Sequence, residues 1–319
     1  MNDVRTWMPR KVVVVGAGAV GSTFAYALAI SGTADEIVLL DANRDLALGQ
    51  AADLAHGEPF VPPVQIRAGE NADYADAHLI VLTAGAKQQS GESRLELLQR
   101  NALIVRDIVG EIVLQNSPAV LLVVTNPVDV LTYLARKQSA WPRGRVIGSG
   151  TVLDSARFRY LLSRHCGVDA HNVHAYMLGE HGDSEFPAWS LTHIAGVPIE
   201  QYCPRCAKCE DGKAVHGRIA EAVKRSAYHI IDYKGATNFA VGLALVRIAG
   251  AILRNEHSVL TVSTVLQGEY GLSDVSLGVP CIVSQQGVER ILSVSLRRNE
   301  QDALAACADI LRDAIARLG

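Results

Sequence analysis

Along the first half of the chain, hydrophobic residues cluster in short unbroken runs rather than alternating with polar ones. KVVVV at 11–15 and EIVLL at 36–40 are the clearest. Unalternated β-branched runs of this length suit strands buried on both faces, as in a parallel sheet. The pattern predicts strands at 11–15, 36–40, 64–68, 78–83, 119–124 and 145–148. Between them apolar residues recur at helical spacing, predicting helices at 19–31, 43–56, 92–115 and 128–138, with Pro127 in the first turn of the last, after Asn126. Strands alternating with helical stretches imply a doubly wound parallel α/β sheet of the dinucleotide-binding (Rossmann) kind.

Beyond residue 150 the order changes. A helix at 152–165 precedes mixed short strands to about 200, long helical patterns near 211–232 and 237–254, strands near 259–267 and 275–284, and a terminal helix near 300–317. Such blocks predict an α+β domain packed on the first. The boundary falls near Gly148-Ser149-Gly150 without a flexible linker, dividing the chain into a nucleotide-binding part, 1–148, and a substrate-binding catalytic part, 149–319.

Composition narrows the function classes. Among 319 residues, 30 Lys plus Arg against 33 Asp plus Glu give a net charge of −3, too mild a balance for a nucleic-acid or anionic-membrane surface. Apolar residues at 49% and charged residues at 20% exclude wholesale disorder. One stretch needs a decision: the 23 residues Val12 to Ala34 carry no formal charge and would be long enough to span a bilayer. Its VVVV start and the following GAGAVG glycines would interrupt a membrane helix, and the N-terminus lacks the basic start of a secretory signal. The expectation is a soluble cytoplasmic protein. Cysteines stand at 166, 203, 206, 209, 281 and 307, three of them in CPRCAKC. Cys203, Cys206 and Cys209 could contribute to a zinc site or a redox pair, but no completing ligand is evident, so reduced loop thiols are the simpler reading and no metal is assigned.

The stretch that resembled a membrane span holds the strongest chemical signal. Gly16, Gly18 and Gly21 form GxGxxG directly after a predicted strand and at the opening of a helix, and Asp41 follows Gly21 by 20 residues at the end of the next strand. The first glycine permits a tight turn, the second lets a pyrophosphate approach, and the third lets helix pack on strand. Free N–H groups at the helix N-terminus would face the phosphates, and Gly16, Ala17, Gly18, Ala19, Val20 and Gly21 would together bind the cofactor. A carboxylate at Asp41 would accept hydrogen bonds from the adenine ribose and repel a 2′-phosphate, which selects NAD over NADP.

Four further segments fall at predicted strand ends or loops: TAGAKQQSGESR (83–94), TNPVD (125–129), GSGTVLDSARFR (148–159) and GEHGD (179–183). Together with the glycine motif, and in this order from about residue 10 to the C-terminus, they resemble the L-lactate/L-malate dehydrogenase family, in particular its bacterial L-lactate members. The resemblance implies NAD-dependent hydride transfer between L-lactate and pyruvate, with His181 as general acid/base, since imidazole exchanges protons near neutral pH. Asp154 would orient and charge-stabilise that imidazole, although as third residue after Thr151 it could also serve a helix cap. Arg157, one turn further on the same helix face, would grip the substrate carboxylate in a two-pronged hydrogen bond. Arg94 would close over the substrate on a lid hinged at Gly85 and Gly91 and polarise the reacting carbonyl.

Further roles follow from the same resemblance. Gln88 stands where malate dehydrogenases carry arginine, so a second substrate carboxylate would lack a counter-charge and pyruvate is favoured. Thr83, Ala84, Gly85 and Lys87 would meet the cofactor, Asn126 the substrate and the nicotinamide, and Ser149 the nicotinamide amide, while Thr237 would line the pocket for the small substrate side chain. Arg159 lies two residues past Arg157, about 200° around the helix, so it faces elsewhere. In allosteric relatives it acts with the residue matching His174 to bind fructose 1,6-bisphosphate between subunits; a bland interface salt bridge is the alternative. A homotetramer is the family's usual assembly. Malate dehydrogenase and a non-catalytic NAD sensor remain the competing functions, the latter needing only Gly16 to Asp41.

Overall fold

The computed structural model describes residues 9–86, 91, 93–203 and 212–318, with all their side chains except those of residues 94 and 212–214. In chain order the first half contains β1 (Lys11–Val15), α1 (Ala19–Ser31), β2 (Glu36–Leu40), α2 (Arg44–Ala55), β3 (Gln65–Ala68), β4 (Leu79–Leu82), α3 (Arg94–Leu114), β5 (Val120–Val123), α4 (Val128–Ser139) and β6 (Val146–Gly148). The second contains α5 (Val152–Cys166), β7 (Val173–His174), β8 (Met177–Leu178), β9 (Phe186–Pro187), β10 (His193–Ile194), β11 (Val197–Pro198), α6 (Ile199–Tyr202), α7 (Gly212–Lys234) and α8 (Phe239–Leu253). It closes with β12 (Ser258–Leu260), β13 (Ser263–Gln267), β14 (Ser273–Gly278), β15 (Cys281–Ser284), β16 (Gly287–Ile291) and α9 (Arg298–Ala316).

Strands β3-β2-β1-β4-β5-β6 run parallel in that spatial order. Every residue of β1 and β4 is buried, because helices cover both faces of the sheet and no position on these strands meets water. The uncharged stretch after Lys11 is thereby divided into the last four residues of a strand, a glycine turn and a 13-residue helix. Among the described residues no helix is long and apolar enough to cross a membrane.

Three features differ from the hydrophobic pattern. The central sheet does not stop at β6: β13 pairs with it antiparallel through Ser263 and Gly148, and β14 follows, giving eight strands. The apolar run predicted at 259–267 is two strands in different sheets, broken where the Thr261 carbonyl turns to accept the N–H of Thr151 at 3.0 Å. The run at 275–284 breaks likewise before Pro280, which has no N–H for a ladder. Lastly, Pro127 is the cap of α4, extended at φ −74° and ψ 115° after a cis Asn126–Pro127 bond, and the helix begins one residue later.

Candidate functional site

The site forms where β1 and β4 lie side by side and the chain leaves them in opposite directions, the crevice at which open α/β sheets bind ligands. Gly16 turns there at φ +105°, and a Cβ on it would press on the Ala84 backbone at 2.5 Å. At Gly21 a Cβ would stand 1.9 Å from the Gly16 carbonyl oxygen, so α1 can approach β1 only without a side chain. Gly18 differs: a Cβ there would meet nothing within 4 Å. Open space therefore lies over the start of α1, where Gly18 is the cap, no side chain occupies the first N–H groups and no acidic residue stands in the first turn. Ala17, Ala19 and Val20 complete this turn. A pyrophosphate fits the room and the positive end of the helix.

Asp41, just past β2, bends back to the turn. Its Oδ2 accepts the Ala17 N–H at 2.7 Å and its Oδ1 the Asn43 N–H at 2.8 Å, which fixes the carboxylate beside the space above Gly18. On the β4 side, the Thr83 and Ala84 N–H groups both donate to the Val15 carbonyl at 2.8 Å, and Thr83 Oγ1 donates to that of Gly16 at 2.8 Å. Gly85 is exposed and packs its backbone on Thr125. Asn101 staples the β4 and β5 loops, accepting from Ala86 N at 2.8 Å and donating to the carbonyl of Asn126 at 3.0 Å, while the Asn126 side chain stays exposed. Ser149 leaves β6 with its N–H on the Val123 carbonyl at 2.9 Å. Lys87 and Gln88 lie outside the described residues. Arg94 opens α3 behind Ser93, whose hydroxyl and Glu96 form a reciprocal cap, and Gly91 turns at φ +82° just before it.

The proton-exchanging candidates converge from three segments. His181 Nδ1 lies 2.6 Å from Asp154 Oδ2, and Arg157 Nη1 donates to Asp154 Oδ1 at 2.7 Å. Among the described residues, neither His181 Nε2 nor Arg157 Nη2 is engaged, so an imidazole nitrogen and a guanidinium edge are available together. Asp154 does not cap its helix: Thr151 spends its hydroxyl on the Met177 carbonyl at 2.6 Å and makes no cap hydrogen bond. The backbone of His181 is held by Asp129 Oδ2, which accepts its N–H at 2.7 Å, and the loop before it is anchored by paired Gly179 and Gly278.

Electrostatics sharpen the arrangement. Burial acts against charge on His181, yet the carboxylate of Asp154 outweighs it and raises the imidazole above its ordinary range. Burial likewise opposes ionisation of Asp154, but the charges of and hydrogen bonds with His181 and Arg157 hold it below the usual carboxylate range. Asp129 is pushed up to about 6 by burial. Two of these residues, Asp129 and Glu185, had no assigned role in the sequence. Asp129 ends the TNPVD segment, and Glu185, two residues past GEHGD, is an acid set against the apolar FP of β9; that mismatch was the available signal. Asp154, His181 and Glu185 are close enough to share an ion, within 4.8 Å of one another.

The remaining predicted residues lie in the second half of the chain. Thr237 sits half-buried in the turn between α7 and α8, beside Asn238, whose side chain donates to Thr23 of α1 at 2.9 Å. Arg159 and His174 border one cavity of about 470 Å³, on the other side of α5 from Arg157. Arg159 donates to the carbonyls of Val173 and Ala170 at 2.8 and 3.2 Å. Cys206 and Cys209 lie outside the described residues; Cys203 Sγ is 3.6 Å from Nε2 of His216, whose ring stacks on Trp189.

Comparison with known proteins gives a consistent match. Residues 10–148 match the family model of the lactate/malate dehydrogenase NAD binding domain, and residues 151–318 that of the lactate/malate dehydrogenase alpha/beta C-terminal domain. An L-lactate dehydrogenase of Treponema denticola is 60% identical, covering 97% of this chain and 98% of its own, and one of Acetivibrio thermocellus is 53% identical over 97% of each. Among solved structures, a lactate dehydrogenase from a Medee basin deep-sea metagenome superposes with a TM-score of 0.95 at 43% identity, covering 98% of this chain and 99% of the other. The ligand-bound minor L-lactate dehydrogenase of Enterococcus mundtii gives 0.94 at 41% identity, over 97% and 98%.

Proposed function

Because the chain belongs to the lactate/malate dehydrogenase family, we propose that the cleft around His181 is where it interconverts pyruvate and L-lactate with NAD as cofactor. The observation that carries the reading is the contact of His181 and Arg157 with the two oxygens of one buried carboxylate, Asp154. With Nδ1–H donated to Asp154, Nε2 is the nitrogen that gives a proton to the pyruvate carbonyl oxygen or takes one from the lactate hydroxyl. The free edge of Arg157 binds the substrate carboxylate, and Arg94 at the start of α3 polarises the carbonyl as negative charge develops on its oxygen. The bound nicotinamide supplies the hydride to C2, or accepts it in reverse. Asn126, Ser149 and Thr237 border the substrate and nicotinamide; the glycine turn, Asp41, Thr83 to Gly85 and Lys87 hold the rest of the cofactor. Residues 1–148 thus hold most of the cofactor and lend Arg94 and Asn126 to the substrate, while 149–319 supply Asp154, Arg157 and His181, a division supported by the two matched family models.

Gln88 in place of an arginine supports pyruvate over oxaloacetate as the preferred substrate. The test is NADH oxidation with each substrate by the parent and His181→Asn: the parent prefers pyruvate, and the variant loses turnover while still binding NADH. Unchanged turnover in the variant would remove the acid/base assignment.

Three finer readings have separate support. Fructose 1,6-bisphosphate activation is supported by Arg159 and His174 lining one cavity, and requires that saturating effector lower the apparent KM for pyruvate. A homotetramer is supported by exposed apolar residues on α1 and α8, among them Tyr26, Ile30, Phe239 and Leu243, which light scattering tests through mass. A cytoplasmic setting is supported by Cys281 and Cys307, buried as thiols.

A further inference from the structure

The geometry points to Glu185 as a positioning residue for proton exchange: a buried neutral carboxylic acid that donates its proton to Asp154 and so sets how strongly Asp154 holds the proton on His181. This rests on the reading of His181 as the acid/base. Glu185 is 3% exposed and Asp154 2%. A carboxyl oxygen of each lies within 4.8 Å of the other and of a ring nitrogen of His181, with both carboxyls away from the surface. Two carboxylates have only acceptors to offer each other, so such a contact requires one proton between them.

Which carboxyl carries the proton follows from the partners. Asp154 has Arg157 on one oxygen at 2.7 Å and His181 on the other at 2.6 Å, both stabilising its anion. No donor among the described residues reaches Glu185 Oε2. An orphaned oxygen in the interior is far less costly on a neutral acid than on a carboxylate. Burial first, and then the charge of Asp154, push the Glu185 carboxyl upward, against smaller opposing effects of Arg157 from α5 and Lys224 from α7. Around Asp154 itself the charges are then one carboxylate, one guanidinium and one imidazole, with Asp129 behind the His181 backbone. A proton donated by Glu185 spreads the charge of Asp154 and restrains its pull on the imidazolium, keeping His181 able to release its proton to substrate.

The whole enzyme tests this in two independent ways. At about pH 8, where Asp129 is ionised, infrared spectroscopy is expected to show the carbonyl stretch of a protonated carboxyl that disappears in Glu185→Gln. The pH profile of kcat/KM for pyruvate reads the second effect. Glu185→Gln keeps a donor to Asp154 and no charge, so the alkaline limb stays in place; Glu185→Leu removes the donor, and the limb moves up by roughly one unit. A missing band, a limb displaced downward in Glu185→Gln as loss of an ionised neighbour would cause, or an unmoved limb in folded Glu185→Leu overturns the proposal. If Glu185→Leu does not fold, the band and the glutamine profile decide. Failure of the His181 reading would look different: His181→Asn would keep turnover while the infrared band persisted.

Discussion

Nδ1 of His181 lies 2.6 Å from Oδ2 of Asp154, a contact between a loop and the first turn of α5 that are 27 residues apart. It orients the ring so that Nε2 is the nitrogen left for chemistry, and it raises the imidazole's proton affinity against the effect of burial. Asp154→Asn removes the anion and leaves the burial. The alkaline limb of kcat/KM for pyruvate should therefore move to lower pH, with activity near neutrality reduced roughly 10²-fold or more. A pH profile of the variant checks this, and a limb that stayed in place would detach Asp154 from the titration.

The glycines of the turn should separate folding from binding. Gly18→Ala places a methyl in open space at φ −70°, which alanine accepts, so the melting temperature should hold while NADH affinity falls. Gly21→Ala drives a Cβ into the Gly16 carbonyl, and the strain should cost about 1–3 kcal/mol of stability. Thermal melts with NADH titrations distinguish the two. Equal loss of stability in both variants would contradict the open space above Gly18.

Asp41 is tied to the turn by the Ala17 N–H, which it accepts at 2.7 Å, and in the proposed reading it faces the cofactor's ribose. Asp41→Ser removes the charge that repels a 2′-phosphate, so the preference for NADH over NADPH should shrink by a factor on the order of ten, about 1.4 kcal/mol. Steady-state KM values for both cofactors measure it. An unchanged ratio would mean that discrimination lies at another residue.

Asp129 gives stability an unusual pH dependence. Its carboxyl is pushed up to about 6 by burial, above the roughly 3.9 of an unfolded aspartate. Between those values the folded chain binds more protons than the unfolded one, so this residue's contribution is present at low pH and is lost as pH rises through about 6. Asp129→Asn cannot titrate and keeps an acceptor for His181 N–H. Relative to the parent, the variant should gain about 2 kcal/mol in stability between about pH 4 and about pH 7. Urea unfolding at both pH values measures the difference; a constant value would show that Asp129 titrates normally.

Much of this molecule was legible along the chain. Runs such as Val12–Val15 and Leu79–Leu82 declare a parallel sheet because a strand covered on both faces has no position for a polar residue. Gly16 and Gly21 declare the turn because each meets a steric demand set by nearby backbone, while Gly18 keeps the space above the helix start open. Asp154 and Arg157, one helical turn apart, declare a shared face. Less was legible at 259–267, where apolar character continues through Thr261 while the backbone leaves one sheet for another.

The sequence by itself determined the alternation of strand and helix and the glycine turn beside Asp41. These depend on period, spacing and local sterics, which a linear pattern records. Tertiary structure alone decided that β13 extends the sheet past β6, that Asp129 holds the backbone of His181 across 52 residues, and that Glu185 stands against Asp154 in the interior. Those outcomes depend on burial and on charges brought together from distant segments, and a carboxyl's protonation is set by what surrounds it in space.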